Sequence, residues 1–310
     1  MKRTTYVILL LSIIFTACSG EDPIPASKED NKIILSFSVN NYTTNITKST
    51  SIGSEDEQKI NDLYIFLFPT VATQSLIKYY TTSSSFGGGT WDKAGNKILL
   101  DITQAEVGNR NVYIVTNSSA IKTDLDNVTS LTQLQGALQT ISQPWSANIN
   151  TPLLMSGNKT HDFNDNYQLN SISLIRCIAK LQLNIKLSPE HQTTPSATNE
   201  YKYKLINFDK NTYVLKPDTK PDNLVSSADW MLWDAAGALT SYSLTNGKVT
   251  SISLTTYLNE RINAGTAIEV SLPYESGGLL PPPEFGDETY KLSLPTAIER
   301  NHWYIYDIEI

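Results

Sequence analysis

Apolar residues recur at every second position in one segment of this chain after another, and that periodicity commits most of the sequence to β-strands. Ile33, Leu35, Phe37 and Val39 alternate with Ile34, Ser36 and Ser38, which gives an extended segment one strongly apolar face. The run from Leu63 to Phe68 is apolar on both faces and stops at Pro69, as expected of a central strand covered on both sides. Further strands are predicted over 76–81, 98–102 and 112–116, with a glycine-rich turn at 86–89. In the second half they are predicted over 172–187, 201–207, 212–216, 230–234, 251–258, 267–272, 290–294 and 303–310. A helical spacing is found once: Leu131, Leu134, Leu138 and Ile141 share a face, and Ser130 with Gln133 has the spacing of a capping box.

The two halves share a layout. A long alternating strand (33–39, then 175–187) is followed, after a polar loop, by a second hydrophobic strand (63–68, then 201–208). That order suits an all-β fold of two tandem β-sandwich domains, over 32–168 and 169–310, with one short helix in the first. If the long second strand instead closes the first sandwich, the boundary moves to 187–196.

The N-terminus fixes the compartment. Lys2 and Arg3 precede an apolar run over 6–15 that is too short to span a bilayer, and Thr16-Ala17-Cys18 supplies the small residues and cysteine of a lipoprotein cleavage site. Residues 1–17 are therefore expected to be removed, Cys18 to be acylated, and 18–31 to form an acidic tether. Cys177 is then the remaining cysteine, so no intrachain disulfide can form and the core alone must supply stability.

A net charge of -7 argues against nucleic acid as a partner, because no basic stripe is present to neutralise phosphates. No nucleophile elbow, zinc-binding H-E-x-x-H or phosphate loop occurs, and His161, His191 and His302 are widely separated. Residues 162–166 begin like a calcium loop, but Tyr167 and Ser173 replace the required glycine and glutamate, which leaves a turn. No enzymatic activity, cofactor or metal is expected. Cys177 shares a face with Ile175, Ala179, Leu181, Leu183 and Ile185 and is read as a buried small hydrophobe, while Arg176 and Lys180 fall on the opposite face as a solvated edge. The aromatic groups Tyr79-Tyr80, Trp230/Trp233 and Trp303/Tyr304/Tyr306 are assigned to cross-strand packing, with stacking on sugars as the other use of such rings.

Five segments, in order behind the cleavage site, carry a resemblance: Lys59-Ile60-Asn61-Asp62-Leu63-Tyr64-Ile65-Phe66-Leu67-Phe68, Val112-Tyr113-Ile114-Val115-Thr116-Asn117, Leu154-Met155-Ser156-Gly157, Leu174-Ile175-Arg176-Cys177-Ile178-Ala179-Lys180, and Ile298-Glu299-Arg300-Asn301-His302-Trp303-Tyr304. The sequence resembles the fimbrillins, the Bacteroidales major fimbrial subunits whose lipoprotein precursors polymerise into type V pili. The resemblance implies transthyretin-like sandwiches, anchorage to the outer membrane through Cys18, and assembly with other pilus subunits by strand exchange after proteolysis between the first two strands. Such processing uses a basic residue, commonly Arg. No Arg lies between Arg3 and Arg110, which leaves Lys48 in a polar loop, or Lys59 inside the next strand; Lys48 is the expected site. Because the chain stops within the strand that follows Asn301, a tip or other terminal position is expected. The alternative is a surface lipoprotein that binds a host glycan or protein without polymerising.

Overall fold

The computed structural model describes residues 32–45, 50–141, 152–225, 229–235, 239–276 and 284–310. The first half contains β1 (Lys32–Val39), β2 (Tyr42–Thr44), β3 (Thr50–Ser51), β4 (Leu63–Pro69), β5 (Ile77–Thr81), β6 (Ser85–Phe86), β7 (Gly89–Asp92), β8 (Lys97–Thr103), β9 (Asn109–Thr116), β10 (Leu138–Thr140), β11 (Met155–Asp162) and β12 (Gln168–Arg176). Short helices α1 (Glu55–Gln58), α2 (Gln104–Val107), α3 (Lys122–Asp126) and α4 (Leu131–Gly136) punctuate it. The second half holds β13 (Ile178–Lys186), β14 (Lys202–Ile206), β15 (Asn211–Tyr213), β16 (Met231–Leu232), β17 (Thr240–Thr245), β18 (Lys248–Asn259), β19 (Ala267–Ser276), β20 (Glu284–Ser293) and β21 (His302–Glu309).

The first nine-stranded sheet runs β5-β4-β9-β11-β12-β1-β8-β7-β6 and folds back on itself at β12. Ile33, Leu35, Ile98 and Leu100 of one arm thereby meet Leu63, Ile65, Val112 and Ile114 of the other in one core. The opposite face of β4 places Tyr64, Phe66 and Phe68 against Ile121, Leu125, Val128 and Leu134, which explains why that strand is apolar on both sides. The expected capping box forms, with the Gln133 amide donating to Ser130 Oγ at 3.3 Å. The helix ends at Gly136, however, and Leu138 continues into β10, which pairs with β15. The second half packs the six-stranded sheet β17-β18-β13-β21-β2-β3 on the four-stranded sheet β16-β14-β19-β20, with Leu181, Leu183, Ile185, Ile252 and Leu254 facing Tyr203, Leu205, Ile268, Val270 and Leu272.

The strand predicted over 172–187 is two strands. Cys177 donates its amide to Leu154 O at 2.9 Å, and the chain leaves the nine-stranded sheet there and enters the six-stranded one. The division expected at 168/169 assigned β12 to the second half, whereas β12 pairs with β1 and β11 of the first. The change of sheet also shifts the phase of burial: Ile172, Leu174 and Arg176 point inward before it, and Ala179, Leu181 and Leu183 after it. Cys177 is fully buried as expected, but in a cluster with Leu154 and Val214 and not in line with Ile175.

Its thiol lies 3.4 Å from Val214 O, and burial pushes its pKa up despite the nearby Arg300. Cys177→Asp is expected to cost about 2–3 kcal/mol and Cys177→Ala about 1 kcal/mol in urea unfolding, since the first buries a carboxyl against the Val214 carbonyl, with Arg300 offsetting only part of the penalty, and the second removes one small group.

Candidate functional site

The first strand is an interior strand. β1 lies between β12, with which it is parallel, and β8, with which it is antiparallel, so it satisfies a hydrogen-bonding ladder on each side. Ile33 and Leu35 are fully buried and Phe37 nearly so, which anchors the strand by three side chains pointing into the core. At roughly 1.5–3 kcal/mol for each buried side chain, they hold it with several kcal/mol in addition to the ladders. Between Leu35 and Phe37 the register against β12 slips from Leu169 to Ile172; Ser171, in the left-handed region, forms the bulge.

Past Val39 the chain crosses from one sheet to the other. The Asn40 amide still donates to Leu174 O of the first sheet at 2.8 Å, whereas Thr43 donates to Asn301 O at 3.0 Å and β2 pairs with β21 of the second. Asn45 extends that ladder with its side chain: its amide donates to Ile305 O at 3.0 Å and its carbonyl accepts from Ile305 N at 2.7 Å. Residues 32–45 are thus one extended strap along both sheets. β3 folds back on β2, and Lys48 lies between them, outside the described residues, as does Cys18. Lys59, expected inside a strand, is exposed and sits between α1 and β4.

Where the strap crosses, a charged cluster is buried, and the structure corrects the solvated edge expected at Arg176 and Lys180. Arg176 is wholly buried: Nε donates to Glu57 O (3.1 Å), Nη1 to Asn40 O (2.8 Å) and Asn301 Oδ1 (3.1 Å), and Nη2 to Ile52 O (3.2 Å). Its guanidinium lies 4.0 Å from the centre of the Tyr42 ring. Lys180 pairs with Glu57 Oε1 at 2.9 Å and stands over the Trp303 ring. Glu57 also accepts from Tyr257 Oη at 2.6 Å and from the Ser54 amide at 2.6 Å, the latter closing the capping box of α1. Gly53 is required here, because its φ is +78° and a Cβ would stand 2.6 Å from Glu57 Oε2.

Burial alone raises the pKa of the Glu57 carboxyl, but the hydrogen bonds from Tyr257, Lys180 and Ser54 outweigh it and hold the group below its ordinary 4.5. A carboxylate with a depressed folded pKa contributes stability that is complete above the unfolded value and is lost as pH falls through the folded one. Glu57→Gln is therefore expected to flatten the loss of stability below about pH 4.5, read as urea midpoints from pH 6 down to pH 3.

The comparisons with known proteins fit this arrangement. The minor fimbrium tip subunit MfA4 C-terminal model matches residues 177–309 and the major fimbrial subunit protein (FimA) model matches 33–176, meeting at the change of sheet. The chain is 44% identical over 333 aligned positions, covering 100% of this chain and 99% of the other, to the minor fimbrium tip subunit MfA4 of Porphyromonas gingivalis. The chain belongs to the fimbrial subunit family. It is a pilus subunit, and its place is the fimbrium. Among solved structures, the tip fimbrial protein Mfa3 of P. gingivalis with C-terminal truncation shares the fold, at a TM-score of 0.51 and 14% identity over 90% of this chain and 95% of that one.

Within the fimbrial fold, sequence reasoning identified β1 but missed the cluster beneath the strap. Arg176 is in phase with the buried Ile172 and Leu174, a signal the break at Cys177 concealed. Glu57 lies in a polar stretch that gives no sign of burial. Among the described residues, no group of three or more His, Cys, Asp or Glu is placed to hold a metal ion.

Proposed function

We propose that this fimbrial subunit occupies the tip of a minor fimbrium and joins its neighbour by accepting a strand. In this reading it is exported as a lipoprotein acylated on Cys18, is held at the outer membrane until a protease cuts after Lys48, and then loses the strap that carries β1 and β2. It acts by assembly and adhesion, without catalysis.

One observation carries the acceptor role: β1 is flanked by strands on both sides and fills the core with Ile33, Leu35 and Phe37. A chain without it presents two unpaired ladder edges and an apolar slot, which an added strand satisfies. The opposite role suits the molecule less well. β21 is paired with β13 along its length, Tyr304 is buried, and Tyr306 and Ile308 pack on the second core, so swinging it out to a neighbour strips that core. The tip position is supported by the relative at 44% identity, which is named for it. Immunogold labelling of sheared filaments tests that position. Gold at one end is the expected result, and regular decoration of the shaft contradicts it.

A further inference from the structure

We propose that Arg176 and Asn301 form a recognition point for the incoming strand, selecting a segment that places an aromatic ring where Tyr42 lies. This rests on the strand-acceptor reading above and adds a specificity to it.

The resident strap shows what the point recognises. Of the groups around the Arg176 guanidinium, Glu57 O, Ile52 O and Asn301 Oδ1 lie outside residues 32–45, whereas Asn40 O and the Tyr42 ring belong to the strap. Asn301 likewise makes two bonds to the strap at one spot, its Nδ2 donating to Asn41 O at 2.7 Å and its backbone carbonyl accepting from Thr43 N at 3.0 Å, while its Oδ1 steadies Arg176. When the strap leaves, Arg176 keeps its charge and loses a carbonyl and a ring, and Asn301 loses a carbonyl and an amide. Any extended segment restores the backbone partners, since every residue but proline carries them. The ring is different. An apolar chain in its place leaves one face of a desolvated guanidinium against a surface without the negative quadrupole of an aromatic. The apolar slots for Ile33, Leu35 and Phe37 accept many hydrophobic strands, so the ring five residues beyond Phe37 supplies the discrimination and fixes the register across both sheets.

The experiment uses the mature full chain, nicked by a trypsin-like protease, and measures uptake of labelled synthetic peptides of residues 32–45 in exchange for the resident segment. The parent peptide and its Tyr42→Phe variant are expected to bind alike, and Tyr42→Leu to bind at least about tenfold more weakly. In protein carrying Arg176→Lys, which keeps a charge but not the planar fork, the preference for the ring should shrink. If that variant does not fold, the peptide series on the wild-type chain decides. Equal uptake of the parent and Tyr42→Leu peptides overturns the recognition point and leaves strand acceptance standing. Uptake of no peptide overturns both.

Discussion

Arg176→Leu is expected to destabilise the chain by about 3–5 kcal/mol, the range found when one member of a buried, hydrogen-bonded charge cluster is removed. The substitution leaves the carbonyls of Asn40, Ile52 and Glu57 without their guanidinium donor, and Asn301 Oδ1 with only the backbone amide of residue 176, at 3.4 Å. Each buried acceptor so stranded costs about 1–3 kcal/mol, offset in part by the apolar volume of leucine. The damage falls on both halves at once, because the acceptors lie on the strap and α1 on one side and beside β21 on the other. Urea unfolding should therefore show a lower midpoint, and limited proteolysis should cut the strap sooner than in the wild-type chain. A midpoint shift worth under about 1 kcal/mol would mean that the cluster is held by Glu57 and Lys180 without the guanidinium.

The second large effect is expected at Arg300. Its Nε donates to Glu260 Oε2 at 2.8 Å and its Nη2 to Glu260 Oε1, while Nη1 reaches Val214 O at 3.2 Å and Nη2 reaches Tyr213 O at 2.9 Å. Both charged side chains are buried, at 3% and 4% exposure, so neither has water to fall back on once its partner is gone. Arg300→Leu should cost about 3–5 kcal/mol, because it strands the Glu260 carboxylate and the Tyr213 carbonyl, whereas Val214 O keeps Ser156 Oγ. Adding Glu260→Leu should recover part of that loss, since an apolar pair avoids the uncompensated charge. A double variant no better than the single one would show that the carbonyls of Tyr213 and Val214, and not the ion pair, are what Arg300 serves. The Val214 carbonyl also receives Ser156 Oγ at 2.5 Å, so this contact ties the second half to β11 of the first.

The parts of the fold legible in the sequence are those in which one residue pattern decides the outcome. Period two over 33–39 gave β1, and an apolar run ending in proline gave β4; the capping box at Ser130 gave the start of α4. β11 was not foreseen: beyond Gly157 it reads Asn-Lys-Thr-His-Asp and pairs through its backbone with β9, so its side chains carry no strand signal. The crossing of the strap was equally hidden. β2 is a short strand of Tyr and Thr whose place beside β21, some 260 residues away, depends on Asn301 and Asn45. Alternation carried through Cys177 as one strand puts Arg176 and Lys180 on a solvated edge; the change of sheet puts both inside, where Glu57 and the strap's Asn40 carbonyl provide partners no local pattern announces.

The central claim is that the strap is removed before assembly, and the N-terminal sequence of the protein recovered from sheared filaments tests it most directly. The account predicts a start at Ser49, directly after Lys48, with neither β1 nor β2 left on the assembled chain. Filament protein that begins at an acylated Cys18 would contradict it, since β1 would then still fill the slot a neighbour's strand is meant to enter.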